Sequence, residues 1–528
     1  MHQFALLFIL LLGAVLTVPL GDKLGLPAPV LMTLAGIVLA LLPFVPDIDI
    51  SPEYILPLLL PPLLYAAVQR TSWRQFAANW QPIFLLAVAL VFVTTAAVAV
   101  VANSIVPGLP IAAAVALGAL VAPPDPVAVS AVAGSLGLPR RLVSILEGEG
   151  LFNDVTSVVL YNVAIAAVVS GSFTWSVAAA ELALSAIVAV AVGVLVGFAG
   201  ARLMTLLGDA TLRVGLTLLL PYASYVISDQ LHGSGVLAVL VTALFLNEKR
   251  SDADDIEGRL TGRSFWTVID TLVTGVAFGV IGLELHTVLG TASGELGQML
   301  VWGIIVSAVV IAVRFAWLVP AAAAVRRTKQ ALDPDAELPS NFRETIVMWW
   351  SGMRGVVTVA LALAVPLQID KGSAFPGRNQ IIFIAFTVII ATLVVQGLTL
   401  PWLVRTLRVT ADTARERALE SQLAQSAMSA ARTRLHELAE SEELPDDLVE
   451  LLTRRIIEMG VRIDPDIGDD ERRESHRERL ARVRAFRRAQ SEIMSAARQA
   501  VLAARHQPGS DPELVDRVLH QLDVRSLR

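Results

Sequence analysis

Long apolar runs recur along the first 409 positions. Lipid supplies no water to satisfy backbone polar groups, so runs of this kind must be helical. Thirteen are counted: Gln3 to Leu20, Pro29 to Phe44, Tyr54 to Val68, Pro82 to Val106, Ile111 to Ala133, Ile145 to Val169, Val177 to Leu206, Thr211 to Ile227, Gly235 to Leu246, Phe265 to Leu285, Leu296 to Val325, Thr345 to Leu367 and Ile381 to Val404. The first lacks Lys and Arg before its apolar stretch and more runs follow directly, so it reads as a retained helix rather than a signal peptide. Beyond residue 409 the pattern changes. Apolar residues fall at helical spacing in Leu444 to Val461 and Leu480 to Ala504, Arg and Glu fill the other faces, and Pro445, Pro465 and Pro508 punctuate. The expected fold is therefore all-α and polytopic, with about 13 transmembrane helices over 1–409 and a charged helical tail over 410–528.

Composition agrees with that division. Of the 528 residues 55% are hydrophobic and 17% charged, outside the range of ordinary soluble domains. The charge is concentrated: 20 Arg and 23 Asp or Glu lie in the last 119 residues. Without cysteine there is neither a disulfide framework nor a Cys-ligated metal site, and the seven His show no metal-ligand spacing. No cofactor is called for. The segment Arg472 to Arg488 mixes both signs of charge, which reads as a solvated helix rather than a nucleic-acid surface.

Basic residues set the expected orientation, because Lys and Arg are retained on the cytoplasmic side. With the N-terminus outside, the cytoplasmic loops hold Lys23, Arg70, Arg74, Arg140, Arg141, Arg202, Arg213, Lys249, Arg250, Arg259, Arg263, Arg326, Arg327, Lys329, Arg343, Arg405 and Arg408. The opposite loops hold only Lys371 and Arg378. The tail then lies in the cytoplasm.

A charge at the centre of a membrane helix costs about 2.5–3.5 kcal/mol, so each one needs a reason. Prolines 123, 124 and 126 flank Asp125 in the middle of the fifth run and force non-helical backbone at membrane depth. Half-helix ends, each worth roughly half an elementary charge, then meet near the midplane, and Asp125 can neutralise the positive ones. The carbonyls of Pro123 and Pro124 become candidate cation ligands. The competing reading of Asp125 is a proline kink with a snorkelling side chain. In the sixth run, Glu149 and Asp154 are five residues apart, roughly 140° around a helix, so they face different partners. Asn153 shares the Glu149 face. Arg354, between Gly352 and Gly355 in the twelfth run, is the natural partner for Glu149 and would form a structural ion pair with it.

That pairing leaves Asp154 without a fixed countercharge. A desolvated carboxylate can hold a proton or a small cation in turn, the minimum requirement for exchange. The bland alternative is a local capping role. The fifth and twelfth runs are seven apart and so cross in opposite directions, as two broken helices of an inverted repeat would. Arg314, Asp229 and Asp270 are expected to pair with neighbouring helices or reach the cytoplasmic face, the Trp residues to anchor and pack, and Gly193 to Gly200 to allow close helix packing. An intramembrane aspartyl protease using Asp125 and Asp154 is the reading from another class; no Gly-x-Gly-Asp sequence supports it.

At Asp125-Pro126-Val127-Ala128-Val129 and Gly148-Glu149-Gly150-Leu151-Phe152-Asn153-Asp154 the chain resembles the monovalent cation/proton antiporters, sodium/proton exchanger branch. The resemblance continues through Leu60-Pro61-Pro62-Leu63-Leu64-Tyr65, His232-Gly233-Ser234-Gly235-Val236-Leu237-Ala238 and Gly352-Met353-Arg354-Gly355, covering 1–408, and the tail from Leu480 is similar to that of bacterial members. It implies a bacterial inner-membrane antiporter exchanging Na+, or K+ or Li+, for H+, without enzymatic activity. It further implies that Asp154 binds ion and proton, Asn153 orients the site, Asp125 compensates helix dipoles and Glu149 pairs with Arg354. The Asn-Asp pair implies electroneutral exchange, and the family resemblance a homodimer in lipid with a mobile core. Relatives carry polar side chains where this chain has Ala66, Gly150 and Pro124, which thins the oxygen set around the cation.

Overall fold

Helix occupies at least part of every apolar run in the computed structural model of the chain. The structure describes residues 2–24, 26–40, 52–70, 80–125, 136–171, 175–249, 256–291, 296–332, 341–370, 372–410, 413–442 and 444–463, with short pieces between 492 and 518. The chain separates into two compact units, Met1–Ala411 and Asp412–Arg528.

The first unit runs through α1 (His2–Leu24), α2 (Ala28–Ala40), α3 (Pro52–Arg70), α4 (Trp80–Ile105), α5 (Ile111–Val121), α6 (Arg140–Ser170) and α7 (Trp175–Leu206). It continues with α8 (Ala210–Gln230), α9 (Gly235–Lys249), α10 (Ile256–Thr291), α11 (Leu296–Leu332), α12 (Phe342–Trp350), α13 (Val356–Leu363) and α14 (Arg378–Leu407). Among the described residues, six helices are long and apolar enough to cross a membrane: Trp80–Ile105, Arg140–Ser170, Ala180–Leu206, Ala210–Gln230, Leu296–Ala323 and Arg378–Leu407. Shorter apolar helices lie at Leu7–Gly21, Ala28–Leu39, Leu56–Gln69, Ile111–Val121 and Gly235–Glu248. No β-strand occurs among the described residues; the nearest approach is a tight hairpin, where Gln368 and Ala374 form an isolated bridge.

The two interruptions expected from sequence are present. Helix α5 stops at Val121 and non-helical backbone follows through Asp125, while 126–135 lie outside the described residues. Between α12 and α13 the chain leaves the helix over residues 351–355. Helix α5 is buried almost throughout, and so is the first half of α14, as expected for helices enclosed by others rather than by lipid.

Backbone groups released by local irregularities find side-chain partners. Pro62 has no N–H for the carbonyl of Leu58, and the Tyr222 hydroxyl of α8 donates to that carbonyl at 3.0 Å. A π-helical segment at Leu85–Ala89 in α4 accompanies a carbonyl at Leu85 that accepts from the Trp317 indole at 3.2 Å. A second π segment, Ala391–Gln396, lies in α14 beside the second break. The stretch Gly193 to Gly200 packs closely as expected: a Cβ at Gly193 would fall 2.7 Å from the Val241 side chain of α9, and one at Gly200 2.5 Å from Leu220 of α8.

The second unit contains α15 (Thr413–Glu442) and α16 (Asp446–Ile463), packed against each other. Ala424, Met428 and Leu435 are the buried positions of α15, and Gly460 admits Met428, whose sulfur would lie 1.8 Å from a Cβ there. The α16 helix matches the expected segment Leu444 to Val461. The α15 helix lies in the charged helical tail but outside its two amphipathic segments, because its apolar positions are sparse and its helicity comes from Ala, Glu, Gln and Arg, strong helix formers without a wide apolar stripe. The segment Arg472 to Arg488 and most of Leu480 to Ala504 lie outside the described residues.

Candidate functional site

The two breaks are joined backbone to backbone: the Asp125 N–H donates to the Met353 carbonyl at 2.7 Å. Each break then supplies the charge that the other's half-helix needs. The first N–H groups of a helix have no intrahelical acceptor and carry partial positive charge. At α13 the Val356 N–H donates to Asp125 Oδ2 at 3.1 Å, so the first break's carboxylate caps the second break's outgoing helix. Gly355 makes this approach possible, since a Cβ there would stand 1.4 Å from Asp125 Oδ2 and 2.3 Å from Asp125 Cβ.

The reciprocal contact runs from Arg354 to the C-terminal end of α5, where orphan carbonyls carry partial negative charge. Arg354 Nε donates to Val121 O at 2.9 Å, one terminal nitrogen donates to Ala122 O at 3.1 Å, and the other bonds Gly352 O. The backbone of Arg354 is held as well, its N–H donating to Thr392 Oγ1 at 3.1 Å from the π segment of α14.

The structure therefore corrects one expectation. Glu149, 1% exposed, does not pair with Arg354; it is held by Arg314 of α11, with nitrogen–oxygen distances of 2.5 and 2.9 Å in a two-pronged bond. Arg314 also donates to Met348 O in the last turn of α12, at 3.1 Å from one terminal nitrogen and 3.3 Å from Nε. The geometry favours Arg314 because Gly352 leaves room for its stem, Cδ lying 2.6 Å from where a Cβ would be. Arg354 is drawn instead to carbonyls left open by the first break. The signal for Arg314 was its place deep within the eleventh apolar run, which demanded a buried countercharge as strongly as Arg354 did.

Helix α6 presents the remaining expected residues. Asn153 is fully buried, and its Nδ2 donates to Pro124 O at 3.0 Å, pinning the first break. One lone pair of that carbonyl is thereby used, which reduces Pro124's availability as a cation ligand; Pro123 is buried beside it. The side-chain oxygen of Asn153 has no hydrogen-bond partner among the described residues. One turn further, Ser157 donates to Ala119 O at 2.6 Å, binding α6 to α5. Asp154 differs from the other charges of this region. It lies within electrostatic reach of Asp125 and makes neither an ion pair nor a hydrogen bond to any described residue. The arrangement brings Asp125, Asn153 and Arg354 to one crossing, with Glu149 joined to it through Arg314 and Thr392 holding the Arg354 backbone.

Comparisons with known proteins agree with this architecture. The family model described as the transmembrane sodium/hydrogen exchanger matches residues 7–406. An uncharacterized Na+/H+ exchanger of Mycobacterium tuberculosis is 34% identical over 99% of this chain and 96% of its own length. A sodium, potassium, lithium and rubidium/H+ antiporter of Bacillus pumilus is 30% identical over 72% of this chain and 58% of its own. The solved structure of the sodium proton antiporter MjNhaP1 from Methanocaldococcus jannaschii superposes with a TM-score of 0.60, covering 77% of this chain and 99% of that one at 19% identity, a likeness of fold. With two mutually capped breaks in an all-helical unit and a family match across that unit, the chain belongs to the sodium/hydrogen exchanger family, whose members are transporters rather than enzymes.

Proposed function

We propose that the protein is an electroneutral antiporter, exchanging one Na+ for one H+ at Asp154 across a bacterial plasma membrane. The observation that carries the reading is that Asp154 is the carboxylate of the crossing with no hydrogen-bonding or ion-pairing partner among the described residues, one position from a buried Asn153 oxygen that also lacks a donor. An ionised carboxylate and a neutral amide oxygen on successive helix positions, about 100° apart, can serve a desolvated alkali cation lying between them, and the carboxylate alone suits a proton.

The charges at the crossing support the stoichiometry. Arg314 and Arg354 carry two positive charges, and Glu149, Asp125 and ionised Asp154 carry three negative ones, leaving a single negative charge. One Na+ or one H+ neutralises it. Moving the empty core would carry that net charge through apolar surroundings at a cost of about 3 kcal/mol, roughly a hundredfold in rate, whereas either loaded form is neutral. Movement is then tied to occupancy, and two ions of equal charge exchange one for one. Asp125 is engaged on Val356 and acts on the helix dipole rather than on the ion.

Thirteen crossings with an outer N-terminus and a cytoplasmic tail follow from the loop asymmetry of Lys and Arg. The reciprocal caps at the breaks support an inverted repeat, since opposite helix ends need opposite charges. A homodimer in the lipid bilayer completes the reading by family analogy. Selectivity extends to K+ and Li+ in a second reading, which rests on Ala66, Gly150 and Pro124 contributing no side-chain oxygen and on the cations named for the Bacillus pumilus relative. Everted vesicles test both. Dissipation of a preset pH gradient on adding Na+, K+ or Li+ is expected for the wild type and absent in Asp154→Asn. Full exchange in that variant would overturn the mechanism, and the cation series ranks the substrates.

A further inference from the structure

A stripe that winds about 120° around α6 carries a polar residue at every fourth position: Glu149, Asn153, Ser157 and Tyr161. All four are buried, Tyr161 to 2% exposure. The first three are held by Arg314, Pro124 O and Ala119 O. The last is not: the Tyr161 hydroxyl has no hydrogen-bond partner among the described residues. Burying an unmade hydroxyl is unfavourable, and such groups in native proteins are met by ordered water or by an ion.

The place of this hydroxyl gives it a role. Tyr161 lies eight residues beyond Asn153, about 12 Å along the helix axis, with Ser157 midway. At that end the Arg378 guanidinium is within electrostatic reach of the hydroxyl. Arg378 opens α14 and donates from Nε to Val365 O at 3.0 Å, just past the end of α13 and next to the hairpin bridged by Gln368 and Ala374. Tyr161 therefore stands between the ion site and the end of the bundle where the second broken helix terminates.

We propose that the Tyr161 hydroxyl is a positioning residue for water on the path linking Asp154 to the Arg378 end of the core. It rests on Asp154 being the exchanging carboxylate. The hydroxyl accepts a hydrogen bond from one water and donates to the next. A proton leaving Asp154 can then pass along the chain, each member receiving one proton and releasing one, with no net change at Tyr161. Ser157, whose hydrogen is committed to Ala119 O, retains acceptor capacity and can orient a water midway, but the proton passes through the water and not through Ser157.

Two measurements on the full chain in lipid test this. In radiolytic hydroxyl labelling, bound water beside Tyr161 predicts modification of that ring well above Phe278, which is fully buried in the apolar core; labelling no greater than at Phe278 overturns the proposal. In proteoliposomes, Tyr161→Phe is expected to lower turnover by about tenfold, the rate equivalent of one modest hydrogen bond, with KM for the cation unchanged. Because the hydroxyl makes no hydrogen bond to a described residue, its removal should leave the Tm unchanged or raised. Wild-type turnover, or a Tm that falls together with turnover, overturns the positioning role. Asp154→Asn is run alongside: if it retains exchange, the assignment of Asp154 fails, whereas an inactive Asp154→Asn with a fully active Tyr161→Phe removes only the present inference.

Discussion

The two breaks solve the same problem with opposite chemistry. At the first, residues 122–125, prolines stop the helix and the side chain supplied is a carboxylate; at the second, residues 351–355, glycines open the chain and the side chain supplied is a guanidinium. Neither charge serves its own break alone. Asp125 caps the start of α13 and Arg354 caps the end of α5. The difference follows from the helix dipole, which leaves donors at one end and acceptors at the other. A carboxylate can only accept from the first, and a guanidinium can only donate to the second. Proline suits the first break because it removes N–H groups that would need acceptors, and glycine suits the second because Asp125 and Arg314 must approach the backbone closely.

The comparison can be broken most severely at Gly355. A methyl group there overlaps the part-buried Asp125 carboxylate and forces it away from Val356, so Gly355→Ala is expected to cost about 3–5 kcal/mol through overpacking and loss of the cap. Gly215→Ala in α8, where a Cβ meets nothing within 4 Å, should be neutral or gain up to about 1 kcal/mol. Thermal unfolding of the two detergent-purified variants measures the contrast, and equal melting temperatures would contradict it.

The partner of Glu149 gives the next largest effect. Arg314→Met should cost about 3–5 kcal/mol by stranding a buried carboxylate, and Glu149→Gln should remove much of that cost when combined with it. Arg354→Met loses carbonyl caps instead, so its combination with Glu149→Gln should be closer to additive. A double-mutant cycle with stronger coupling for Arg354 than for Arg314 would restore the pairing expected from sequence.

The smallest effect lies at the surface, where the same capping chemistry operates in water. Asp209 precedes α8, and its Oδ1 accepts from the Thr211 and Leu212 N–H groups at 2.7 and 3.1 Å. The Leu212 and Thr211 backbone hydrogen bonds hold its pKa below the ordinary carboxylate value. The folded pKa is thus depressed, so this cap stabilises the fold above the unfolded value of about 3.9 and is lost as pH falls through the lower folded value. The Tm difference between wild type and Asp209→Ala should shrink on acidification through that window. A constant difference would mean that the carboxylate's charge contributes nothing to the cap.

Sequence patterning located helices, breaks and misplaced charges because each is a local property. Apolar length makes a helix in lipid, proline removes donors wherever the chain goes, and a charge amid apolar neighbours is costly in any arrangement. Asp154 stood out on the same grounds. The helix Thr413–Glu442 carries no clear periodic mark for a local reason too, since its alanines favour helix without drawing an apolar stripe. Partnership was not legible. Glu149 had two buried arginines within the possible folds, and only the crossing of the chain at Met353 brought Arg354 to Val121 and Ala122 and left Arg314 for the carboxylate. Sequence by itself determined which groups cannot be left in lipid unpaired; the tertiary structure decided which groups answer them, because hydrogen-bond partners are chosen by distances that span 165 residues between Glu149 and Arg314 and 231 between Asp125 and Val356.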